Sequence, residues 1–325
     1  MLLLSKEDIK KCFSMKDAIE SDKKCYAMNS EGRFEVPLRP VISTEKGNFC
    51  FMPSYCKDLN KAACKIVNIF PGNAKLGLPG TIGQVMLFDG DTGEAIALLD
   101  GTHVTSVRTA AASGAAFELW GLKDAKIGAV IGTGSQAMNQ LEAMLTARDL
   151  AEVRVAARNF EKTRAFVEEA KSQLASYGAD IVAYENTNEA VDGADLVILV
   201  TVSHEPVCDA KYFKPGCVIS AVGAYQYEMQ ELDPAVFDKC GKIYFDSKEA
   251  VLSESGDILK PLDAGTLSES QFTGDIGDYI LGRIPGRESD DEIIVYENVG
   301  FGALDLTAAA EIYEKAVALG IGTEW

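Results

Sequence analysis

Residues 125–145 read Ala-Lys-Ile-Gly-Ala-Val-Ile-Gly-Thr-Gly-Ser-Gln-Ala-Met-Asn-Gln-Leu-Glu-Ala-Met-Leu. An apolar run, Ile127 to Ile131, leads into Gly132-Thr133-Gly134-Ser135-Gln136-Ala137. A helical pattern follows at once, with Met138, Leu141, Met144 and Leu145 spaced for one buried face. Strand, glycine turn and helix together form the context in which a G-x-G-x-x-A string reads as a dinucleotide-binding turn. Gly132 permits the tight turn, Gly134 lets a pyrophosphate reach the backbone, and Ala137 keeps the helix close to the sheet. The free N–H groups and positive dipole end of the helix then face the phosphates. These six residues, Gly132 to Ala137, are the expected pyrophosphate site.

Downstream, strand-like runs at 153–157, 181–184, 196–202, 217–222, 242–245 and 293–296 alternate with helical patterns, the clearest at 160–175. Such alternation predicts a parallel sheet covered by helices, with a ligand at the carboxyl ends of the strands. Residues 1–115 differ. Two amphipathic helices, near 6–13 and 15–27, precede strand-like runs at 49–52, 62–70, 82–88 and 95–99. Short turns between these runs, such as Asp89-Gly-Asp-Thr-Gly93, favour an antiparallel or mixed sheet. An Ala-rich helix at 104–119 leads into the nucleotide-binding part, and a last helix at 304–319 is expected to pack back onto the first.

The chain has 325 residues, which suits two domains. Its 47% apolar and 25% charged content fits a globular protein, and its net charge of −18 disfavours nucleic acid or an anionic membrane as partner. No apolar run has the length of a bilayer span, and no signal peptide is recognised. The eight cysteines form no C-x-x-C pair, and only His103 and His204 could add imidazole. A metal site is therefore not expected, and the cysteines read as reduced thiols of a cytoplasmic protein. Both histidines read as structural.

Two positions bear on the coenzyme and three on the substrate. NAD-binding sheets carry an acidic residue at the tip of the second strand, where it holds the ribose 2′-OH. Here that tip reads Ala157-Arg158-Asn159. A guanidinium grips a 2′-phosphate that a carboxylate would repel, so NADP(H) is expected over NAD(H), with Arg158 as the reader. Lys65 lies in the apolar run Ala62-Ala-Cys-Lys65-Ile-Val-Asn-Ile-Phe70, where burial would lower its pKa and suit it to proton transfer. Arg39 is flanked by prolines, and Arg108 stands at the front of the Ala-rich helix, where it can face an interdomain cleft. Three such cations could clamp an anion, most simply a carboxylate.

Arg39, Met52-Pro53, Lys65, Asn73, Gly77-Leu-Pro79, Thr92-Gly93, Leu98-Leu-Asp-Gly101, Thr105, Arg108-Thr-Ala-Ala111, the Gly132–Ala137 turn and Asp305 follow one another in an order that resembles the ornithine cyclodeaminase/mu-crystallin family. The resemblance covers nearly the whole chain. It implies an α/β protein: a Rossmann-type doubly wound parallel sheet (residues 116–303) plus an α+β substrate-binding and dimerisation domain (1–115, completed by 304–325). It also implies a homodimer and a small carboxylate-bearing imino or amino acid as substrate. Arg39, Lys65 and Arg108 would contact that carboxylate, with Lys65 as acid/base. Thr109, Thr201, Val222 and Gly223 are expected at the coenzyme, the last three near its nicotinamide. Cyclodeaminases carry an aspartate in the loop that here reads Ala221-Val-Gly223-Ala-Tyr225-Gln-Tyr-Glu228-Met-Gln-Glu231. Tyr225 stands in its place, and Glu228 is a weak substitute. A reductase or dehydrogenase of imino and amino acids is therefore expected. A cyclodeaminase that recycles its coenzyme and a non-catalytic NADPH binder are the alternatives.

Overall fold

The computed structural model describes residues 1–37 and 39–325. In chain order the first elements are β1 (Leu2–Leu4), α1 (Lys6–Cys12), α2 (Met15–Ser30), β2 (Phe34–Glu35), β3 (Val41–Ser43), β4 (Asn48–Cys56), β5 (Lys61–Ile69), β6 (Thr81–Asp89), β7 (Ala95–Asp100) and α3 (Gly101–Trp120). Next come β8 (Ile127–Ile131), α4 (Ala137–Ala147), β9 (Glu152–Ala156), α5 (Phe160–Gln173), β10 (Asp180–Tyr184), α6 (Thr187–Val191), β11 (Leu196–Leu199), β12 (Val218–Ala221) and β13 (Cys240–Phe245). The chain ends with α7 (Lys248–Glu254), α8 (Gly256–Asp263), β14 (Gly274–Asp275), α9 (Ile276–Ile280), β15 (Ile293–Glu297), α10 (Gly302–Leu319) and β16 (Thr323–Glu324). It divides into two compact units, Met1–Arg108 with Phe301–Trp325, and Thr109–Gly300.

The first unit is a mixed sheet in the order β16-β1-β7-β6-β5-β4-β2, with β3 also on β4. Residues alternate between two faces, as the strand period requires. Across one face Met52, Lys65, Val85, Leu99 and Leu4 stand in register, all buried. Helix α10 packs against β4, β5, β6 and α2. The opposite face carries the register row Pro53, Cys64, Met86, Leu98 and Leu3, each only partly buried. Capping boxes at Ser5/Asp8 and Ser14/Asp17 start α1 and α2, tying the side chain at each helix start to the backbone three residues on. Asp89 Oδ1 accepts the Asp91 and Thr92 N–H groups and sets the β6–β7 turn. At the end of β7, Asp100 Oδ1 accepts the His103 N–H, so α3 begins without an intervening loop.

The second unit is an all-parallel sheet in the order β10-β9-β8-β11-β12-β15-β13-β14. Every residue of β11, β12 and β15 is buried, which requires cover on both faces of the sheet. Inside this unit Ser113 on α3 shares a hydrogen bond with Ser220 on β12 (2.8 Å), and Asn298 Nδ2 donates to the same hydroxyl (3.3 Å). The doubly wound fold expected from the sequence is therefore present, with differences in detail. Leu2–Leu4 forms a strand, β11 stops at Leu199 rather than running to residue 202, and Met138 is only half-buried.

Candidate active site

Lys65 sits in β5, between β4 and β6, and not on a sheet edge. It is 1% exposed. An ammonium in such an apolar row needs compensation, because burial of an isolated charge is strongly unfavourable. Asp305, in the first turn of α10 and also 1% exposed, supplies it. Asp305 Oδ2 lies 2.7 Å from Lys65 Nζ, close in distance although not aligned as a hydrogen bond. Its other oxygen, Oδ1, accepts from Arg108 Nε at 3.1 Å. Arg108 is 5% exposed. One carboxylate thus holds two buried cations.

Further charges act on the pair. Half-buried Arg39 adds positive potential at Lys65, and buried Asp22 on α2 adds negative potential at Arg108. Burial first, and then Arg108, push the Lys65 ammonium down to about 8, with Asp305 opposing the shift. A lysine in that range exchanges a proton near neutral pH far more readily than an ordinary one. Asp305 belongs to the sequence pattern, but the sequence assigns it no role. Its pairing spans 197 positions to Arg108, which no local spacing reveals.

In the second unit the strand order reverses at β8, which lies between β9 and β11, so a ligand is expected at the carboxyl ends of β8 and β11. Gly132 lies there with φ at +122°, and a Cβ on it would fall 2.3 Å from the Val200 carbonyl oxygen. Gly134 is exposed, and a Cβ there would meet nothing within 4 Å. Protein packing does not explain a glycine at 134, whereas close approach of a phosphate does. Ala137, fully buried, opens α4, whose N-terminus carries no side-chain cap. Thr133, Ser135 and Gln136 complete the turn, and the Gln136 Oε1 is a buried acceptor without a partner. The turn therefore fits the pyrophosphate of a dinucleotide. Arg158, beyond β9, is exposed, while its neighbour Asn159 caps α5. The Thr109 carbonyl accepts from Gln140 Nε2 at 3.1 Å.

Thr201 follows β11, and Val222 and Gly223 follow β12. Both loops end on a residue that the sequence does not single out. Glu231, fully buried, accepts the Thr201 N–H at one carboxylate oxygen (2.5 Å) and the Gly223 N–H at the other (2.6 Å). Burial, with Asp257 nearby, pushes this carboxyl up to about 8, and its two N–H partners oppose the rise. Glu228 is exposed, and Tyr225 is half-buried. His103 is buried, and burial drives it down to about 4, so it stays neutral. His204 is exposed. Among the described residues no group of three His, Cys, Asp or Glu is placed to hold a metal ion, all eight cysteines are free thiols, and no helix is long and apolar enough to cross a membrane.

A model of the ornithine cyclodeaminase/mu-crystallin family matches residues 1–320. The chain is 35% identical over 324 residues to a Delta(1)-pyrroline-2-carboxylate reductase of Bacillus cereus, covering 99% of this chain and 98% of that protein. Among solved structures it resembles the Thermococcus litoralis Delta(1)-pyrroline-2-carboxylate reductase in complex with NADH and L-proline, at TM-score 0.94 and 36% identity over all of both chains. It also resembles an archaeal alanine dehydrogenase dimer with bound NAD, at TM-score 0.91 and 30% identity, covering 99% of this chain and 98% of that one.

Proposed function

The chain belongs to the ornithine cyclodeaminase/mu-crystallin family, and from that premise we propose that it is an oxidoreductase that reduces a small imino acid with a nicotinamide coenzyme. In the opposite direction it would oxidise a 2-amino acid. The observation that carries this reading is the buried Lys65–Asp305–Arg108 cluster, in which two cations share one carboxylate. An imino acid brings one carboxylate and one protonatable nitrogen, and the cluster offers an anion site beside a lysine that exchanges protons near neutral pH. Arg39, Lys65 and Arg108 hold the carboxylate. Lys65, or a water that it orders, delivers the proton to the nitrogen. Fixing the carboxylate fixes the imine carbon, and orientation of this kind supplies much of the rate.

A bound reduced nicotinamide supplies the hydride. The Gly132–Ala137 turn holds its pyrophosphate, and Thr109, Thr201, Val222 and Gly223 contact the coenzyme. Arg158 stands exposed where an acid would favour NAD(H), which supports NADP(H) as the preferred coenzyme and NAD(H) as the lesser one. Tyr225 in place of a carboxylate supports reduction over ammonia-eliminating cyclisation. The partly buried row Pro53, Cys64, Met86, Leu98 and Leu3 supports pairing with a second copy of the chain, since the structurally similar alanine dehydrogenase is a dimer.

The test is NADPH oxidation against five- and six-membered cyclic ketimine carboxylates and against 2-oxo acids with ammonia or methylamine. Consumption that depends on the imine supports the reading. Release of ammonia from ornithine with no net change in NADPH would identify a cyclase instead. Tight coenzyme binding with no turnover on the whole panel would identify a binder.

A further inference from the structure

We propose that Glu231 is a positioning residue, a carboxylate clamp that fixes the two backbone loops on which the nicotinamide half of the coenzyme rests; this depends on the coenzyme reading above. Strands β11 and β12 are parallel neighbours, with Leu199 opposite Ala221 at their ends. The loops leaving them share one side chain. Glu231 takes the Thr201 N–H on one oxygen and the Gly223 N–H on the other. An N–H reaches each of the two carboxyl oxygens, whereas an amide presents one oxygen and one NH2 group and so offers only one acceptor there.

The clamp is itself held. The Glu231 and Leu232 N–H groups donate to Asp257 Oδ1 at 2.7 and 2.8 Å, and the Glu231 carbonyl accepts the Val207 N–H at 2.9 Å. Gly223 fits only because it lacks a side chain. A Cβ there would lie 2.0 Å from the Thr201 carbonyl oxygen and 2.3 Å from Glu231 Oε2. Both contacts belong to the same bridge, so loop, loop and carboxylate form one close-packed unit. A backbone held this way presents its remaining groups to a ligand without reorganisation at the moment of reaction.

Glu231→Gln keeps the shape of the side chain and removes one acceptor. One buried N–H is then left without its acceptor, and that penalty is large enough that about a tenfold or larger effect is expected. The loss should fall on kcat and on the KM for NADPH. Affinity for adenosine 2′,5′-bisphosphate, which lacks the nicotinamide half, should change less than about twofold, because the Gly132–Ala137 turn and Arg158 are untouched. Equal losses for both ligands would overturn the proposal, as would unchanged turnover. If the variant fails to fold, amide exchange in the unaltered protein decides. Thr201 and Gly223 should exchange slowly before any ligand is added, and exchange as fast as at exposed Val202 would overturn the clamp. Wild-type protein that binds neither NADPH nor adenosine 2′,5′-bisphosphate would instead remove the coenzyme reading on which the proposal rests.

Discussion

Replacing Lys65 with methionine removes a buried ammonium while keeping the length of its stem. The fold holds this lysine at about 8 rather than its ordinary 10.5, mainly because burial penalises the charge. At about 1.4 kcal/mol per pH unit, that difference makes the charged lysine cost the folded protein about 3 kcal/mol. The sign follows from proton counts. Below pH 8 the lysine is charged in both folded and unfolded chains, and the full penalty is present. Between about 8 and 10.5 the folded protein has lost a proton that the unfolded chain still carries, so the penalty fades. Lys65→Met should therefore be more stable than wild type by about 3 kcal/mol at pH 7, with the gain vanishing towards pH 10.5. Asp305 does not become an orphan in this variant, because Arg108 still holds it. Turnover should collapse while NADPH binding persists, a case of a site that sacrifices stability for chemistry. Urea titrations of both proteins at several pH values between 7 and 10.5 measure the difference directly. A variant no more stable than wild type at pH 7, or an advantage that does not change with pH, would refute the reasoning.

Asp305→Asn strips the carboxylate from two buried cations, and breaking such a pair should destabilise the protein by about 3–5 kcal/mol, read from denaturant midpoints. Unchanged stability would mean that the cluster is not held as described. Arg158→Ala should raise the KM for NADPH about tenfold to a hundredfold while leaving that for NADH nearly unchanged, and equal effects on both would remove Arg158 from 2′-phosphate recognition. Gly134→Ala places its methyl group in open space, so stability should stay within about 0.5 kcal/mol of wild type while NADPH affinity, followed by fluorescence titration, falls. Undiminished affinity would show that no phosphate approaches residue 134.

Features with a local signature are legible in the chain. The apolar run before Gly132 and the helix after it lie within twenty residues of each other, and strand, turn and helix all form there. Lys65 stands out because it interrupts the apolar middle of its strand, four residues after the Lys61 that opens it. What depends on distant pairing does not show. Asp305 compensates Lys65 across the sequence, and spacing cannot express that. Glu228 and Glu231 look equivalent in a polar loop, yet one is exposed and the other fully buried, because the turn after β12 aims only the second inward. The sequence makes β11 look three residues too long because Val200 to Val202 continue its apolar character. The ladder stops where the Thr201 N–H leaves the sheet direction for Glu231. Leu2–Leu4 is too short to carry a period, and its partners are residues 97–99 and 323–324.

The interrupted make-up of the first unit has a consequence for how the protein is born. All of its sheet except β16, and its first two helices, are synthesised first, but α10, which covers β4, β5 and β6 and carries Asp305, leaves the ribosome after the whole of the second unit. Until then Lys65 and Arg108 have no Asp305 and the inner row of the sheet has no lid. The intervening unit, with its own parallel core, is free to fold meanwhile. Assembly of the Lys65–Asp305–Arg108 cluster is thus a late event, governed by closure of a long chain segment and by how well a half-made sheet is shielded from aggregation during the wait.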